Sequence, residues 1–159
     1  MELTDLTIVI PVYGESAYLI AALESTEKLV SEGASLLIID DGATSHIAHQ
    51  INGWMNTRGL VRVDLIANQT NLGLFKSLNN NIQLVKTKWF CLLCSDDFFL
   101  PDSIQKIESL HPNGQTGLIL SKFRSVNADR SIRYDDCPQL DALQSKHGNI
   151  LSPNQMLSA

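Results

Sequence analysis

The sequence is short of basic residues and of long apolar runs. Twelve Lys and Arg stand against 17 Asp and Glu, which gives a formal charge of -5. A general nucleic-acid binder needs a positive surface for phosphates, so we expect no nucleic-acid partner. No apolar run reaches the roughly 20 residues that span a bilayer, and residues 1–7 carry two acids instead of the basic start of a signal peptide. A cytoplasmic chain, with at most peripheral contact to a membrane, is therefore expected.

Cysteine is scarce, and two common phosphate-binding motifs are missing. Of the three cysteines, Cys91 and Cys94 have C-x-x-C spacing. Residues three apart in a strand point to opposite faces, so we expect neither a redox pair nor half a zinc site. The glycine motifs GxGxxG and GxxxxGK[ST] do not occur in the required places. A bound phosphate group would therefore need a metal cation.

The sequence does contain a regular alternation of apolar strand-like runs and helical patterns, and 44% of its residues are hydrophobic. Strands are predicted over residues 6–12, 36–39, 61–66, 89–94 and 117–123, and helices over residues 16–30, 45–56, 74–85 and 101–110. The run 89–94 is apolar throughout, which predicts burial on both faces, and Ser16 is a candidate N-cap. A hairpin turning at 127–130 follows, and the tail suggests a short helix over 137–147 and a strand over 149–157. This order predicts one three-layer, Rossmann-like α/β domain with a mostly parallel sheet and a late β-hairpin.

Two acidic pairs follow predicted strands. Asp40 and Asp41 end the second strand, and Asp96 and Asp97 follow the fourth. The carboxyl ends of parallel strands form the edge where open α/β sheets bind ligands. Carboxylate oxygens suit hard cations such as Mg²⁺ or Mn²⁺. We therefore expect the acids to serve a ligand site at that edge.

Each pair also has a purely structural interpretation. Asp96 and Asp97 could cap the helix that begins at Pro101, since Asp is a good N-cap residue. Asp41 followed by Gly42 could be no more than a turn.

Four sequence blocks, in order, resemble the family 2 glycosyltransferases of the GT-A fold. They are residues 7–13 (TIVIPVY), 38–44 (IIDDGAT), 68–73 (NQTNLG) and 95–102 (SDDFFLPD). Two positions depart from the family pattern: Gly14 replaces an Asn, and Ser95-Asp96-Asp97 replaces the usual D-x-D. The resemblance extends over essentially the whole chain and implies a nucleotide-sugar-binding GT-A domain.

The resemblance implies a role for each matched position. Pro11, Val12 and Tyr13 would line the nucleotide pocket, and Asp41 would accept a hydrogen bond from the base. A uracil ring N–H is a suitable donor, so a UDP-sugar is the default substrate. Asp96 would hold the ribose or share the metal, and Asp97 would coordinate Mg²⁺ or Mn²⁺ on the diphosphate.

The implied activity is inverting transfer of a sugar to a hydroxyl of a glycan or lipid-linked acceptor, in glycan or polysaccharide synthesis. In the family, the general base for the acceptor lies beyond the segment that residues 148–153 resemble, so residues 1–159 are interpreted as a C-terminally truncated GT-A domain without a convincing base. Asp135 and Asp136 are interpreted as loop charges. Apolar surface exposed by the truncation would favour a homo-oligomer. The sugar and the acceptor cannot be identified from the sequence.

Two other functions fit the same residues. One is a non-catalytic nucleotide-sugar-binding module that lacks the acceptor half and the general base. The other is a nucleotidyltransferase with a similar acidic metal site, which is disfavoured because no basic, glycine-rich phosphate loop follows the first strand.

Overall fold

The computed structural model describes residues 1–14, 17–42, 45–113, 116–119, 121, 124–127, 129 and 131–134. The chain groups into two compact units, Met1–Leu110 and His111–Ala159. Ser16 and the elements predicted over 137–147 and 149–157 lie outside the described residues. A single domain over residues 1–159 stays a prediction.

The first unit contains a parallel sheet whose strands alternate with helices. Its elements are a 3-10 turn Leu3–Asp5, β1 Leu6–Val12, α1 Leu19–Ser31, β2 Ser35–Asp40, α2 Ser45–Arg58, β3 Val63–Ala67, α3 Leu74–Asn81 with a 3-10 turn Ile82–Leu84, β4 Trp89–Leu92 and α4 Pro101–Glu108. The strand order is β3-β2-β1-β4, and all neighbouring strands are parallel. The chain moves outward from β1 to β3 and then returns to the other side of β1, which creates a topological switch point beside β1. The predicted α/β class is confirmed.

Helices cover both faces of this sheet. On one face, Ile8 and Ile10 of β1 belong to a buried cluster that includes Leu23 of α1, Ile51 of α2 and Ile104 of α4. On the other face, a smaller buried cluster consists of Val9, Leu37 and Ile39, with Leu78 and Val85 packed against it. The alternation along β1 follows from the two-residue repeat of a strand. The result is the three-layer arrangement predicted from the order of the elements.

The prediction for residues 89–94 is wrong in its extent and in its burial. Strand β4 ends at Leu92, so Cys94 lies beyond it. Phe90 is 53% exposed and Leu92 42% exposed. Among the described residues β4 pairs only with β1 and is an edge strand. An apolar run therefore predicted the strand but not the burial of both its faces.

The helices differ from their predicted bounds mainly at their ends. Helix α1 begins at Leu19, three residues later than predicted, and its N-cap Tyr18 makes no side-chain capping hydrogen bond. Helix α2 extends to Arg58, and α3 gives way to a 3-10 turn after Asn81. In the described part of the chain, no helix has both the length and the apolar character that crossing a bilayer requires.

The second unit contains the predicted hairpin. Strands β5 Ser125–Val126 and β6 Ile132–Tyr134 pair antiparallel. The amide N–H of Asn127 donates to the carbonyl oxygen of Ser131 at 2.9 Å, closing the turn. The strand predicted over 117–123 is not found: residues 117–119 and 121 are described, and none is in a strand. Leu118 is 49% exposed, so its apolar character did not lead to sheet pairing.

Leu23 offers a direct test of the packing of α1 on the sheet. Its side chain is fully buried in the larger cluster, so Leu23→Ala is expected to lower the free energy of unfolding by about 2–5 kcal/mol. The matched control is Leu84→Ala, because Leu84 is 43% exposed, and the expected loss is under about 1 kcal/mol. Urea denaturation measures both. Equal losses in the two variants would contradict this packing.

Candidate functional site

A cavity of about 280 Å³ opens where strands β1 and β2 end. Pro11, Val12 and Tyr13 line it from the end of β1, and Asp41 lines it directly after β2. The other lining residues are Asn71, Gly73, Leu74, Ser77, Cys94 and Ser95. Tyr13 is 63% exposed, so its ring is available as a stacking surface. The structure thus brings four of the sequence-predicted residues together in one pocket.

Asp41 is buried and hydrogen-bonded to the loop that precedes α3. Only 3% of its surface is exposed. Its Oδ1 accepts hydrogen bonds from the Asn68 side-chain amide at 2.8 Å and from the Leu72 backbone N–H at 2.9 Å. Its Oδ2 accepts from the Gly73 backbone N–H at 2.8 Å. The carboxylate therefore fixes one wall of the pocket.

These hydrogen bonds keep Asp41 ionised. Burial opposes the charged form, but the Leu72 amide, the Asn68 side chain, the Gly73 amide and the Ser77 hydroxyl outweigh it and hold the pKa of Asp41 below its ordinary value. Dipoles aimed at a carboxylate favour its charged form. No cationic side chain contributes to the lowered pKa.

A second layer of polar side chains supports this carboxylate. The side-chain amide of Asn68 also donates to Ser77 Oγ at 2.7 Å. The Asn81 amide donates to the carbonyl oxygen of Ser77 at 2.9 Å and, at 3.5 Å, to Asn68 Oδ1. Ser77 and Asn81 are buried. Among the described residues, every buried side-chain nitrogen and oxygen has a hydrogen-bond partner, so the network is complete.

Gly42 allows the same loop to approach β2 closely. Its φ is +74°, and a Cβ at this position would lie 2.5 Å from the backbone nitrogen of Asn71 and 2.6 Å from the carbonyl carbon of Thr70. Backbone atoms cannot move aside as a flexible side chain can. The turn interpretation of Asp41-Gly42 therefore holds alongside the pocket interpretation, since Asp41 anchors the loop that Gly42 admits.

Asp96 and Asp97 lie in the turn between β4 and α4, next to the pocket. Ligand atoms of Cys94, Asp96 and Asp97 all lie within 4.8 Å of one another. The Asp97 amide donates to the carbonyl oxygen of Cys94 at 3.0 Å, which closes the turn. Both carboxylates are exposed. They do not line the cavity, but Cys94 and Ser95 beside them do.

The capping interpretation of this pair is wrong. The N-cap of α4 is Leu100, and it makes no side-chain capping hydrogen bond. Asp102, in the first turn of α4, supplies the acidic group near the helix N-terminus. Asp96 and Asp97 therefore remain available for another task.

Charge repulsion and partial desolvation both raise pKa values in the turn that contains Cys94, Asp96 and Asp97. Although Asp97 is exposed, partial desolvation, and then the neighbouring charge of Asp96, raises the pKa of its carboxyl above the ordinary value. Burial, and then the charges of Asp97 and Asp96, raises the pKa of the Cys94 thiol. Like charges held together disfavour their own ionisation, and a bound cation would relieve this repulsion.

Sequence reasoning did not assign roles to Asn68, Asn71, Gly73, Ser77 and Cys94. The block of residues 68–73 resembles the family pattern as a whole, but nothing in the sequence shows which of its groups contact Asp41. The helical repeat of α3 pointed to Leu78 as core but gave no signal for the buried Ser77 beside it.

Gly42→Ala is expected to lower the free energy of unfolding, because it disturbs the contact between Gly42 and the loop at Thr70 and Asn71. The positive φ costs any L residue about 1 kcal/mol, and the overlap with the loop backbone adds about 1–3 kcal/mol. Gly59→Ala is the matched control, because Gly59 has φ +62° but nothing within 4 Å of its Cβ position. Chemical denaturation measures both variants. If the free energy of unfolding falls no more in Gly42→Ala than in Gly59→Ala, the close approach of the loop backbone to Gly42 is contradicted.

Asp41→Asn is expected to lower the free energy of unfolding by about 1–3 kcal/mol, because its NH₂ group would face donors in place of an acceptor. The folded pKa of Asp41 is lowered, so the stabilisation is present above the unfolded value of about 3.9 and is lost as the pH falls through the folded pKa. The difference between wild type and variant should therefore shrink below about pH 4.

Urea denaturation across this pH range measures the difference, with Asp64→Asn as the control, since Asp64 is exposed on β3. A constant difference between wild type and Asp41→Asn down to about pH 3 would show that the charge of Asp41 does not stabilise the fold.

Comparison with known proteins identifies the family. The description Glycosyl transferase family 2 belongs to the family model that matches residues 7–148. An uncharacterized glycosyltransferase of Haemophilus influenzae is 28% identical over 102 residues, covering 64% of this chain and 33% of that protein. A second one from the same organism is 28% identical over 106 residues, covering 67% of this chain and 42% of that protein. The chain thus spans less than half the length of these relatives.

Solved structures share the fold. The mannosyltransferase PcManGT from Pyrobaculum calidifontis, solved with GDP-Man and Mn²⁺, superposes with a TM-score of 0.63 at 14% identity, covering 71% of this chain and 34% of that one. TarS 1-349 from S. aureus, solved with UDP-GlcNAc, gives a TM-score of 0.57 at 18% identity, covering 66% and 30%. At these identities the likeness shows the fold, which is the GT-A fold expected from the sequence blocks. On the match over residues 7–148, this chain belongs to glycosyl transferase family 2.

Proposed function

We propose that this chain binds the donor of a metal-dependent glycosyltransferase, with a UDP-sugar as substrate and Mg²⁺ or Mn²⁺ as cofactor, for inverting transfer of the sugar to an acceptor hydroxyl. The cavity would hold the nucleotide, and the acidic turn would hold the diphosphate through the cation.

One observation carries this proposal: an acidic turn adjoins a pocket whose own carboxylate is already engaged. Asp41 is buried and hydrogen-bonded, whereas Asp96 and Asp97 are exposed and close together. The pocket offers Tyr13 as a ring for stacking, and none of its described lining residues is a Lys or an Arg. A diphosphate placed between pocket and turn would need a cation to balance its charge and that of the acids.

The donor atoms fit Mg²⁺ or Mn²⁺. Carboxylate oxygens are the ligands that these hard cations prefer, and Asp97 and Asp96 would hold the ion. Mn²⁺ occurs together with GDP-Man in PcManGT, a protein of the same fold. When bound, such a cation acts as a Lewis acid that stabilises the departing diphosphate.

We infer the nucleotide contacts from the lining of the cavity. Tyr13 would stack on the base, and Pro11 and Val12 would form the apolar floor beside it. Asp41 would accept a hydrogen bond from the base, and Asp96 would contact the ribose or share the metal. UDP-GlcNAc is the ligand of TarS 1-349, which also has this fold.

The pocket does not supply an obvious general base, and this favours a second candidate function. Among the described lining residues Asp41 is the only carboxylate, and its lowered pKa and three hydrogen bonds make it a poor proton acceptor. A donor-binding module without catalysis of its own fits this observation. Release of free sugar or transfer to an acceptor would distinguish the enzyme from the module.

Asp97→Ala tests the metal site. Calorimetric titration of UDP in the presence of Mn²⁺ should show an affinity at least about tenfold lower than that of the wild type, since a ligand to the cation is lost. Without Mn²⁺, both proteins should bind UDP weakly and equally. Asp102→Ala is the control, because Asp102 is an exposed acid a few residues away, in the first turn of α4.

The control variant should bind UDP like the wild type. Absence of UDP binding by the wild type, or an unchanged dependence on Mn²⁺ in Asp97→Ala, would overturn the proposed site.

A further inference from the structure

We propose that Ser25 on α1 is a positioning residue for the acidic turn of Cys94, Asp96 and Asp97, and that its hydroxyl sets how tightly this turn holds a divalent cation. This inference rests on the proposed function, because it concerns the cation that Asp97 would bind. It gives a role to a side chain that belongs neither to the lining of the cavity nor to the turn.

The Ser25 hydroxyl joins α1 to the segment that follows the acidic turn. The backbone N–H of Phe99 donates to Ser25 Oγ at 3.1 Å, across 74 positions of the chain. Phe99 comes two residues after Asp97 and two residues before Pro101, where α4 begins. The hydrogen bond therefore holds the middle of the short segment that connects the proposed cation ligand to α4.

Helix α1 fixes the orientation of this hydroxyl. Ser25 Oγ donates to the carbonyl oxygen of Ala22 at 2.7 Å, three residues earlier in the helix. The hydroxyl hydrogen is used in this bond, so a lone pair of the oxygen is left to accept from the Phe99 N–H. Ala22 and Leu23 are fully buried, which anchors this part of α1 in the core. The loop is thus attached to a rigid element, which is what precise placement of a binding group requires.

The chain is held on both sides of the two carboxylates. Before them, the Leu93 N–H donates to the carbonyl oxygen of Val9 on β1 at 3.0 Å. After them, Phe99 is bonded to α1 and its side chain, which is partly buried, packs against the larger buried cluster. Asp96 and Asp97 are exposed and repel each other, so their own side chains favour separation. Attachment of the backbone on both sides opposes this and keeps the acids close together before a cation arrives.

Loss of the Ser25 hydroxyl would loosen the second of these attachments. The Phe99 N–H, in a partly buried position, would lose its acceptor and would move to find another one. Asp97 would follow this movement, because only one residue separates it from Phe99. The cation would then bind more weakly, whereas the cavity, whose lining does not include Ser25, would be unchanged.

Ser25→Ala tests the inference by calorimetric titration of UDP with and without Mn²⁺. With Mn²⁺, the affinity for UDP is expected to be about three- to tenfold lower than that of the wild type, as when a group that orients a metal ligand is removed. Without Mn²⁺, the variant and the wild type should bind UDP equally. Ser31→Ala is the matched control, because the Ser31 hydroxyl makes the same kind of bond, to the Lys28 carbonyl oxygen at 2.8 Å, at the exposed end of α1. It should bind UDP like the wild type in both conditions.

The double variant Ser25→Ala, Asp97→Ala separates positioning from a general loss of structure. If Ser25 acts through Asp97, the double variant should bind UDP with Mn²⁺ as Asp97→Ala alone does, within about twofold. A further three- to tenfold loss in the double variant, or weaker binding of UDP by Ser25→Ala without Mn²⁺, would show a merely structural role and contradict the inference.

The same titrations distinguish failure of the inference from failure of the proposed function. If Asp97→Ala weakens Mn²⁺-dependent binding of UDP and Ser25→Ala does not, the inference is wrong and the proposed function stands. If the wild type does not bind UDP in the presence of Mn²⁺, the proposed function fails, and the inference fails with it.

Discussion

The rest of the site depends on the hydrogen bonds of one buried carboxylate. Asp41 joins the end of β2 to the loop before α3 through Asn68, Leu72 and Gly73. These donors are amides, so the charge is stabilised by oriented dipoles and not by a cation. The loop that Asp41 holds supplies Asn71 and Gly73 to the pocket. A neutral or misplaced side chain at this position would leave the pocket without one of its walls.

The two acidic pairs have the same composition and opposite environments. Asp40 and Asp41 are only 4% and 3% exposed, whereas Asp96 and Asp97 are exposed in a turn. A buried carboxylate that already accepts several hydrogen bonds can anchor a loop, but a metal ion with its other ligands needs a more open position. Exposed carboxylates that repel each other can receive a cation together with waters and phosphate oxygens. In the proposed function, Asp41 of the first pair contributes to recognition of the base, Asp97 holds the cation on the diphosphate, and Asp96 contacts the ribose or shares the metal.

The parts of the fold that local patterns encode could be predicted from the sequence. Continuous apolarity in β1 and β2, and the helical repeat of α3, gave the right elements, and the parallel sheet follows from their order. Burial of β4 was not predictable, because the exposure of Phe90 and Leu92 depends on which elements cover an edge strand. The hydrogen-bond network of Asn68, Ser77 and Asn81 could not be predicted from the sequence either. It reaches Asp41 through Asn68, and these two residues are 27 positions apart along the chain. Asp41, Asp96 and Asp97 were found because acids directly after strands share one edge of a parallel sheet.

A crystal structure of this chain with UDP and Mn²⁺ tests the central claim most directly, with anomalous scattering from manganese used to locate the ion. The account predicts a manganese peak coordinated by Asp97 and the diphosphate, the uracil ring against Tyr13, and its N3–H donating to the Asp41 carboxylate. A manganese ion bound away from residues 94–97, or a nucleotide bound outside the cavity lined by Pro11, Val12 and Tyr13, would contradict it.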